Sequence, residues 1–367
     1  MKHVSRSLLS LALSATLLFG AAGTALAAQK PDPGKPAAKA APAAAPRQKG
    51  ADSSKTKAQN LTLAQSVDQL NWSLFDRLAT PQKNIVYSPY SIEQTILNAA
   101  YDGSETTKSQ ICKTFGFASF DDARSRANAY SLDHPSARLS VSHQEILSSA
   151  IVTRQGLSLV DRVNFDGVFQ TGFPWDYTEK GTFHGANGDK PATMLRNTLV
   201  SMHYYDGETF SGLNLPYGDS GASLLLIVPK SEDNVVDLWK SMTTTERDSV
   251  VKKVADSGTV PITSVTVPRV RMNGTVKELP KSLQALGVKS LFTTLTGVYV
   301  NEMTHTVKFQ IDEKGTAPDS VRAPIARPTC KIPPREKIRF AADKPFLFFV
   351  RDNHNGMILI TGVVEHF

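Results

Sequence analysis

The sequence is poor in cysteine and contains none of the common metal or nucleotide motifs. Only Cys112 and Cys330 occur among 367 residues, neither in a metal-ligand spacing, and we interpret both as free thiols. The eight histidines are scattered, without an H-E-x-x-H pattern, and no phosphate-binding G-x-x-x-x-G-K stretch is present. A metal site is therefore not predicted, and no cofactor is expected.

Long apolar runs are also missing after the first 27 residues. No later segment reaches the ~18 uninterrupted apolar residues of a membrane helix, so no integral membrane association is expected. Residues 1–27 have the layout of a secretory signal peptide: Lys2 and Arg6, a short apolar run, and small residues ending at Ala27. The mature protein is accordingly expected to be exported, to an extracellular or periplasmic location.

Residues 28–60 lack aromatic side chains and consist mainly of Ala, Pro, Lys and Gln. Such a segment cannot bury enough apolar surface to offset its ordering entropy, which predicts a disordered linker. Much of the chain's net charge of +7 lies in this linker and in the signal peptide. The net positive charge of the chain is thus weak support for nucleic acid binding, and no nucleic acid partner is expected.

Residues 61–367 begin with helix patterns and continue with strand patterns. Five apolar residues between Leu61 and Ala79 are spaced by three and four, as in an amphipathic helix: Leu63, Val67, Leu70, Leu74 and Leu78. After Asp133 the sequence changes to short apolar runs separated by Gly, Pro and Asn clusters, which is typical of strands. This order, without internal repeats, predicts a single α+β domain.

One long loop interrupts the strand patterns near the C-terminus. Val307, Phe309 and Ile311 alternate with polar residues and predict a strand, but the next two dozen residues include five prolines. Strong strand patterns follow in "KPFLFFV" and "MILITGVV". A loop of this length is usually functional or disordered, and here a rigid scaffold is expected to display it.

Six segments, in order, together resemble the serpin superfamily of serine protease inhibitors. The matching segments are "NIVYSPYSIEQTILNAAYDGSETTKSQICKTFGF", "LSLVDRVNFDGVFQTGFPW", "LNLPYGDSGASLLLIVPK", "VPRVRMNGTVKELPKSLQALGVKSLF", "HTVKFQIDEKGT" and "KPFLFFVRDNHNGMILITGVV". The resemblance covers most of residues 61–367 and is to a shortened, secreted member of bacterial type. It implies three β-sheets with surrounding helices and an exposed reactive loop. Because the chain is short between Phe117 and Leu157, part of the helix and strand cover of the large sheet is expected to be missing.

The resemblance also implies three groups of site residues. The hinge that leads into the reactive loop is Glu313, Gly315 and Thr316. The polar cluster at which the sheet opens is Ser88, Ser91, Asp161 and His305, with Asp161 in place of the family's asparagine and Phe169 in place of a tryptophan. The reactive bond is expected at Thr329-Cys330, with Lys331-Ile332 as the second choice.

Two functions remain open on these residues. In the first, the protein is a suicide-substrate inhibitor of serine or cysteine endopeptidases of elastase, subtilisin or trypsin type, and its loop is cleaved and inserts into the sheet. A monomer is expected. In the second, it is a non-inhibitory binding protein whose loop is cut without inserting. The second is favoured by Pro318, which lacks a donor for a central strand, and by Arg322, which insertion would bury without an evident partner.

One short segment, "GDSGA", resembles the nucleophile loop of chymotrypsin-like proteases and raises the alternative of an enzyme. A serine nucleophile needs a histidine base within hydrogen-bond reach, and no matching histidine motif lies upstream. Ser220 is better explained by a polar turn between two strands. No catalytic residue is therefore predicted.

Overall fold

The computed structural model describes residues 60–151, 154–294, 297–316 and 337–367. The predicted signal peptide and nearly all of the predicted linker lie outside this range, and the described residues all belong to one compact unit. Its helices are α1 (Leu63–Leu78), α2 (Pro89–Ala99), α3 (Glu105–Phe115), α4 (Phe120–Ala129), α5 (Val235–Ser241), α6 (Thr244–Ala255), α7 (Leu279–Leu286) and α8 (Ser290–Thr293). Its strands are β1 (Ile85–Tyr87), β2 (Asp133–His134), β3 (Ala137–Ile151), β4 (Arg154–Gly167), β5 (Glu179–Gly185), β6 (Gly188–Asp206), β7 (Phe210–Pro216), β8 (Ala222–Pro229), β9 (Thr259–Pro268), β10 (Val270–Val276), β11 (Gly297–Ile311), β12 (Arg339–Ala341), β13 (Phe346–Asp352) and β14 (Ile358–Val364).

The first two helices begin where their capping residues dictate. Thr62 and Gln65 form a capping box at the start of α1, each side chain accepting from the other's backbone N–H. Ser88 caps α2, and Pro89 occupies its first turn, where the missing N–H costs nothing. The central residues of the predicted apolar stripe of α1 are buried: Val67, Leu70 and Leu74.

The larger of the two sheets in the described residues has nine strands in the order β1-β14-β13-β8-β7-β6-β9-β12, with β5 also paired to β6. Every residue of β8 and β14 is buried, as expected for strands covered on both faces. Strand β6 pairs with β9 from Met194 to His203 and with β7 from His203 to Asp206. Of the three sheets implied by the resemblance, the two smaller ones are therefore joined through the long strand β6 into this one nine-stranded sheet.

The second sheet has five strands in the order β10-β11-β4-β3-β2. Strands β3 and β4 form an antiparallel hairpin, whereas β11 lies parallel to β4. The β4–β11 pairing ends at Asn164 and Lys308, although β4 continues to Gly167 and β11 to Ile311. A gap therefore opens between these strands at one end of the sheet.

The outer face of the five-stranded sheet is hydrophilic. Strand β4 alternates between buried Val163 and Phe165 and exposed Arg162 and Asn164, and Lys308 of β11 is exposed beside them. Within the described residues, the chain passes from α4 to β4 through β2 and β3 without a helix. The predicted loss of cover thus coincides with a face whose side chains are suited to water.

Candidate functional site

The predicted hinge lies at the open end of the β4–β11 gap. The backbone N–H of Phe169 donates to the carbonyl of Lys314 at 2.6 Å, and that of Thr316 donates to the carbonyl of Gly167 at 2.8 Å. Gly315 lies opposite Val168 in an antiparallel bridge between these two bonds. The hinge has therefore already begun to pair with the end of β4.

Thr316 anchors this pairing in the core. Its side chain is fully buried, and its hydroxyl donates to the Tyr217 hydroxyl oxygen at 3.1 Å. Phe169, which occupies the position where the family has tryptophan, stacks on the Tyr217 ring with centroids 5.2 Å apart. An aromatic pair thus supports the last described residue of the hinge.

Glu313 fixes the other side of the hinge. Its side chain is fully buried and forms an ion pair with Arg269, whose side chain is 30% exposed. The Thr178 hydroxyl also donates to Glu313 Oε1 at 3.0 Å, and the Phe173 N–H donates to the Glu313 carbonyl at 2.7 Å. The second carboxylate oxygen, Oε2, has no hydrogen-bond partner within the described ranges.

Replacing Gly315 with alanine is expected to detach the hinge from β4. A Cβ on Gly315 would lie 1.9 Å from the Gly167 carbonyl oxygen, and overpacking of this kind costs about 1 to 3 kcal/mol. Hydrogen exchange at the Phe169 and Thr316 amides should become faster. The control is Gly258→Ala, since a Cβ at Gly258 meets no atom within 4 Å; equal exchange in the two variants would contradict the predicted clash.

The structure brings the four residues of the predicted sheet-opening cluster together. Asp161 accepts hydrogen bonds from the Ser91 hydroxyl at 2.7 Å and from His305 Nδ1 at 2.5 Å. The Ser88 backbone N–H donates to His305 Nε2 at 2.9 Å, and the Ser88 hydroxyl accepts from the Ser91 N–H at 3.2 Å. The four side chains are fully buried, so they tie α2 to the β4–β11 pair from below.

These contacts define the charge state of the cluster. Because the Ser88 N–H donates to Nε2 of His305, that nitrogen carries no proton, and the ring is neutral with its proton on Nδ1. Burial alone would raise the pKa of Asp161, but the hydrogen bonds from His143 and His305 outweigh it and hold the pKa below its usual range. Asp161 is therefore a buried carboxylate.

His143 of β3 is part of the cluster, although sequence reasoning did not identify it. Its Nδ1 lies 3.2 Å from Asp161 Oδ1 and 2.7 Å from the Thr95 hydroxyl, and its Nε2 lies 2.8 Å from Gln94 Oε1. In the sheet, His143 is the cross-strand partner of Asp161. Sequence reasoning missed this histidine because it lies between Phe117 and Leu157, outside the segments by which the sequence resembles the family.

A cavity of about 350 Å³ occupies the gap above this cluster. It is lined by residues of β4, β10 and β11 and by Thr316 of the hinge. Asp166 Oδ1 is buried there without a hydrogen-bond partner among the described residues. The unpaired ends of β4 and β11 thus face a space that starts at the hinge.

Both candidate reactive bonds lie outside the described residues: Thr329-Cys330 and Lys331-Ile332. Ser220 lies in the turn between β7 and β8, where its N–H donates to the Tyr217 carbonyl at 2.6 Å, and no histidine of the described chain hydrogen-bonds its hydroxyl. In the same part of the chain, no group of three or more His, Cys, Asp or Glu could hold a metal ion. None of its helices combines the length and apolarity needed to cross a membrane.

Comparison with known proteins identifies the family. The model for "Serpin (serine protease inhibitor)" matches residues 142–366, more than half of the chain. The chain belongs to the serpin family. This serpin is 30% identical over 237 residues to intracellular coagulation inhibitor 1 of Tachypleus tridentatus, a match covering 60% of this chain and 54% of the relative. It is 26% identical over 258 residues to the human leukocyte elastase inhibitor, covering 66% of each chain.

Solved serpin structures confirm the α+β serpin fold. The thermophilic serpin tengpin in its native state aligns with a TM-score of 0.67 at 16% identity, covering 85% of this chain and 96% of tengpin. Arabidopsis AtSerpin1 aligns with a TM-score of 0.68 at 18% identity, covering 84% and 99% of the two chains. In sequence, by contrast, this serpin spans about half the length of the first curated relatives it matches.

Proposed function

We propose that this serpin is an exported inhibitor of serine, or cysteine, endopeptidases that acts through cleavage and insertion of its reactive loop. The observation that carries the proposal is the hinge: Thr316 already pairs with Gly167 at the end of β4. Directly beyond it, β4 and β11 run unpaired beside a cavity. A strand that continued from Thr316 would therefore enter between β4 and β11.

The hinge and the cluster have different tasks in this mechanism. Glu313, paired with Arg269, holds the start of the loop at the sheet edge until cleavage. The cluster around Asp161 holds β4 and β11 together further down, and its His305–Asp161 bond must break as the strands part. Cleavage frees the loop to enter, and the new strand replaces the lost pairing with backbone hydrogen bonds on both sides.

The loop sequence and the relatives support the proposed class of partner. Thr329, the expected residue before the cut bond, suits a protease with a small apolar pocket of elastase or subtilisin type, and Lys331 suits a trypsin-like protease. Two relatives are named as inhibitors, one of coagulation and one of leukocyte elastase. The signal-like residues 1–27 support an exported location for the encounter.

The second candidate function is a binding protein whose loop does not insert, and it is favoured by a proline in the loop. In a β-strand, every second residue directs its backbone N–H to the same neighbouring strand. In an inserted loop, residues 316 and 318 would both direct their N–H groups toward β4, but Pro318 has no N–H to donate. The carbonyl left without a donor costs about 1 to 3 kcal/mol when buried. This cost opposes insertion, but it is small beside the gain of a full central strand.

Cleavage is expected to raise the melting temperature of the protein clearly, because the inserted loop adds a strand to the five-stranded sheet. The measurement compares intact protein with protein cut by an elastase-like protease, with the cut located by mass spectrometry. Under inhibitory conditions a protease complex that survives boiling in detergent should also appear on a gel.

Pro318→Ala and Gly315→Ala serve as matched variants for this test. Restoring the donor in Pro318→Ala should increase the gain in melting temperature, whereas Gly315→Ala should reduce it by displacing the hinge. A clipped loop without any gain and without a covalent complex would favour the binding protein. If the protease cut the chain only before Asn60, the loop would not be the segment that the protease recognises as substrate.

A further inference from the structure

The outer edge of β3 is unpaired over most of its length in the described parts of the chain. Strand β2 pairs only with the first two residues of β3, and the Leu139 N–H then donates to the Leu132 carbonyl at 3.0 Å. Every second residue of a strand directs its backbone groups to the same side, so the next residues that face this edge are Val141, His143, Glu145 and Leu147. Within the described ranges, no other residue hydrogen-bonds the backbone N–H and C=O groups of these four.

This edge also lacks the features that usually prevent strands from pairing edge to edge. Residues 141–147 contain no proline, lysine or arginine, and their register with β4 is regular up to a bulge after Leu147. Ile146 is 43% exposed and Leu147 is 57% exposed. Neighbouring residues of a strand point to opposite faces, so apolar surface is exposed on both faces of the sheet beside an open edge.

A second copy of the same edge complements it. When two copies of β3 pair antiparallel about a two-fold axis at Gln144, His143 of one copy lies opposite Glu145 of the other, and Val141 lies opposite Leu147. The symmetry makes each of these contacts twice. The residues that meet are the four whose backbone groups face the edge, so the hydrogen-bonding pattern and the side-chain contacts agree.

The charges on the edge favour this arrangement. Each ring nitrogen of His143 lies beside an acceptor oxygen: Nδ1 is 3.2 Å from Asp161 Oδ1, and Nε2 is 2.8 Å from Gln94 Oε1. Two acceptors suit the cationic form of the ring, which donates from both nitrogens. Opposite charges that face each other across a sheet stabilise the pairing, so Glu145 of the second copy is a favourable neighbour for His143.

Other symmetric registers are less favourable. An axis at Glu145 would place two carboxylates opposite each other, and an axis at His143 would do the same with two imidazoles, which is destabilising for like charges. An axis further along in either direction would bring β2 or the bulge after Leu147 into the paired stretch. Gln144 is also the midpoint of residues 141–147, so this register uses the whole unpaired stretch.

We propose that this serpin forms a two-fold symmetric dimer in which residues 141–147 of β3 pair antiparallel with the same residues of a second copy. The inference is independent of loop insertion, and it differs from the monomer expected from the sequence. The dimer joins the two five-stranded sheets into one continuous sheet and covers the exposed Leu147 side chain of each copy. Because His143 also contacts Asp161, the interface lies directly beside the sheet-opening cluster.

A cysteine placed at the two-fold axis tests the register. The full-chain variant Gln144→Cys, with both native cysteines replaced by serine, should form an intermolecular disulfide on mild oxidation. Residue 144 would face its own copy in a non-hydrogen-bonded pair with Cα atoms about 4.5 Å apart, a separation that a disulfide can span. The matched control is Ser142→Cys in the same background, because residue 142 and its copy would lie four residues apart along the strand, about 13 Å, beyond disulfide reach.

The variant Glu145→Pro tests the hydrogen bonds across the interface. The Glu145 N–H points to the edge and has no acceptor in the described chain, so the proline should leave the fold of the single subunit intact. The symmetric dimer would lose two hydrogen bonds at once, and its dissociation constant, measured by sedimentation equilibrium, should rise about tenfold or more. Equal melting temperatures of wild type and variant at dilutions where both are monomeric would verify that the fold is retained.

Disulfide formation by Gln144→Cys but not by Ser142→Cys, together with weaker association of Glu145→Pro, is the expected result. A wild-type chain that remains monomeric up to its solubility limit would overturn the dimer and leave the proposed inhibitor function unaffected. Equal disulfide formation in the two cysteine variants, or equal association of Glu145→Pro and wild type, would place the contact elsewhere and overturn the proposal. Assemblies larger than a dimer would contradict a closed two-fold pairing.

Discussion

Replacing Arg269 with methionine is expected to lower the free energy of unfolding by about 3 kcal/mol or more, because it leaves the Glu313 carboxylate buried without a counter-ion. Methionine keeps most of the aliphatic volume of the arginine. The remaining donor to the carboxylate is the Thr178 hydroxyl, at 3.0 Å. The loss should be concentrated at the hinge, since Glu313 is only two residues from Gly315.

Urea denaturation measures the stability, and hydrogen exchange at the Phe173 amide, which donates to the Glu313 carbonyl, reports the hinge. Adding Glu313→Gln should recover much of the loss by removing the unpaired charge. The control is Arg196→Met, whose ion pair with Glu179 has both side chains about half exposed and is worth less than about 1 kcal/mol. Losses of equal size in Arg269→Met and Arg196→Met would contradict the importance of burial.

Replacing Glu93 with glutamine is expected to make the protein less sensitive to pH between about 5 and 8. Glu93 is fully buried under α1, accepts from the Ser66 hydroxyl at 2.8 Å, and has no partner for Oε1 among the described residues. Burial, against the Ser66 hydrogen bond and aided by nearby Asp68, raises the pKa of Glu93 to about 8. The folded protein therefore holds a proton on this carboxyl that the unfolded chain releases near its ordinary pKa of 4.5.

The sign follows from this difference. The stabilisation is complete below the ordinary pKa and is lost as the pH rises toward the folded-state value. At about 1.4 kcal/mol per unit, Glu93 alone should reduce stability by about 3 kcal/mol between pH 5 and pH 7.5. Burial likewise raises the pKa of Asp68 to about 7, so Glu93→Gln should remove part of the slope and leave the part due to Asp68.

The measurement is urea denaturation at several pH values. Glu105→Gln is the control, because the Glu105 side chain is 93% exposed and should leave the wild-type slope unchanged. An unaltered slope in Glu93→Gln would show that this carboxyl does not titrate in the predicted range.

Local sequence signals predicted the parts of the fold whose neighbours are close in the chain. The stripe of α1, the Ser88-Pro89 start of α2, and the apolar strands β13 and β14 depend on spacing and capping within a few residues. Strand β3 was not predicted in detail, because it lies between Phe117 and Leu157, a stretch that contains none of the segments by which the sequence resembles the family. His143 therefore became part of the site only once the β3–β4 register was known.

The charged contacts of the site show the same limit. Family resemblance indicated Glu313 and Asp161, but it did not identify Arg269 as the partner of Glu313. That pair joins the end of β9 to the end of β11, and its geometry depends on how two sheets pack.

The β4–β11 boundary also has a consequence for folding kinetics. The β3–β4 hairpin connects neighbouring segments and can form early, whereas the β4–β11 pairing joins residues as distant as Asn164 and Lys308. Closing so long a loop costs entropy before any contact compensates for it, which slows such pairings. The β4–β11 boundary is therefore expected to be among the last to close when the chain folds, after each half of the sheet has formed separately.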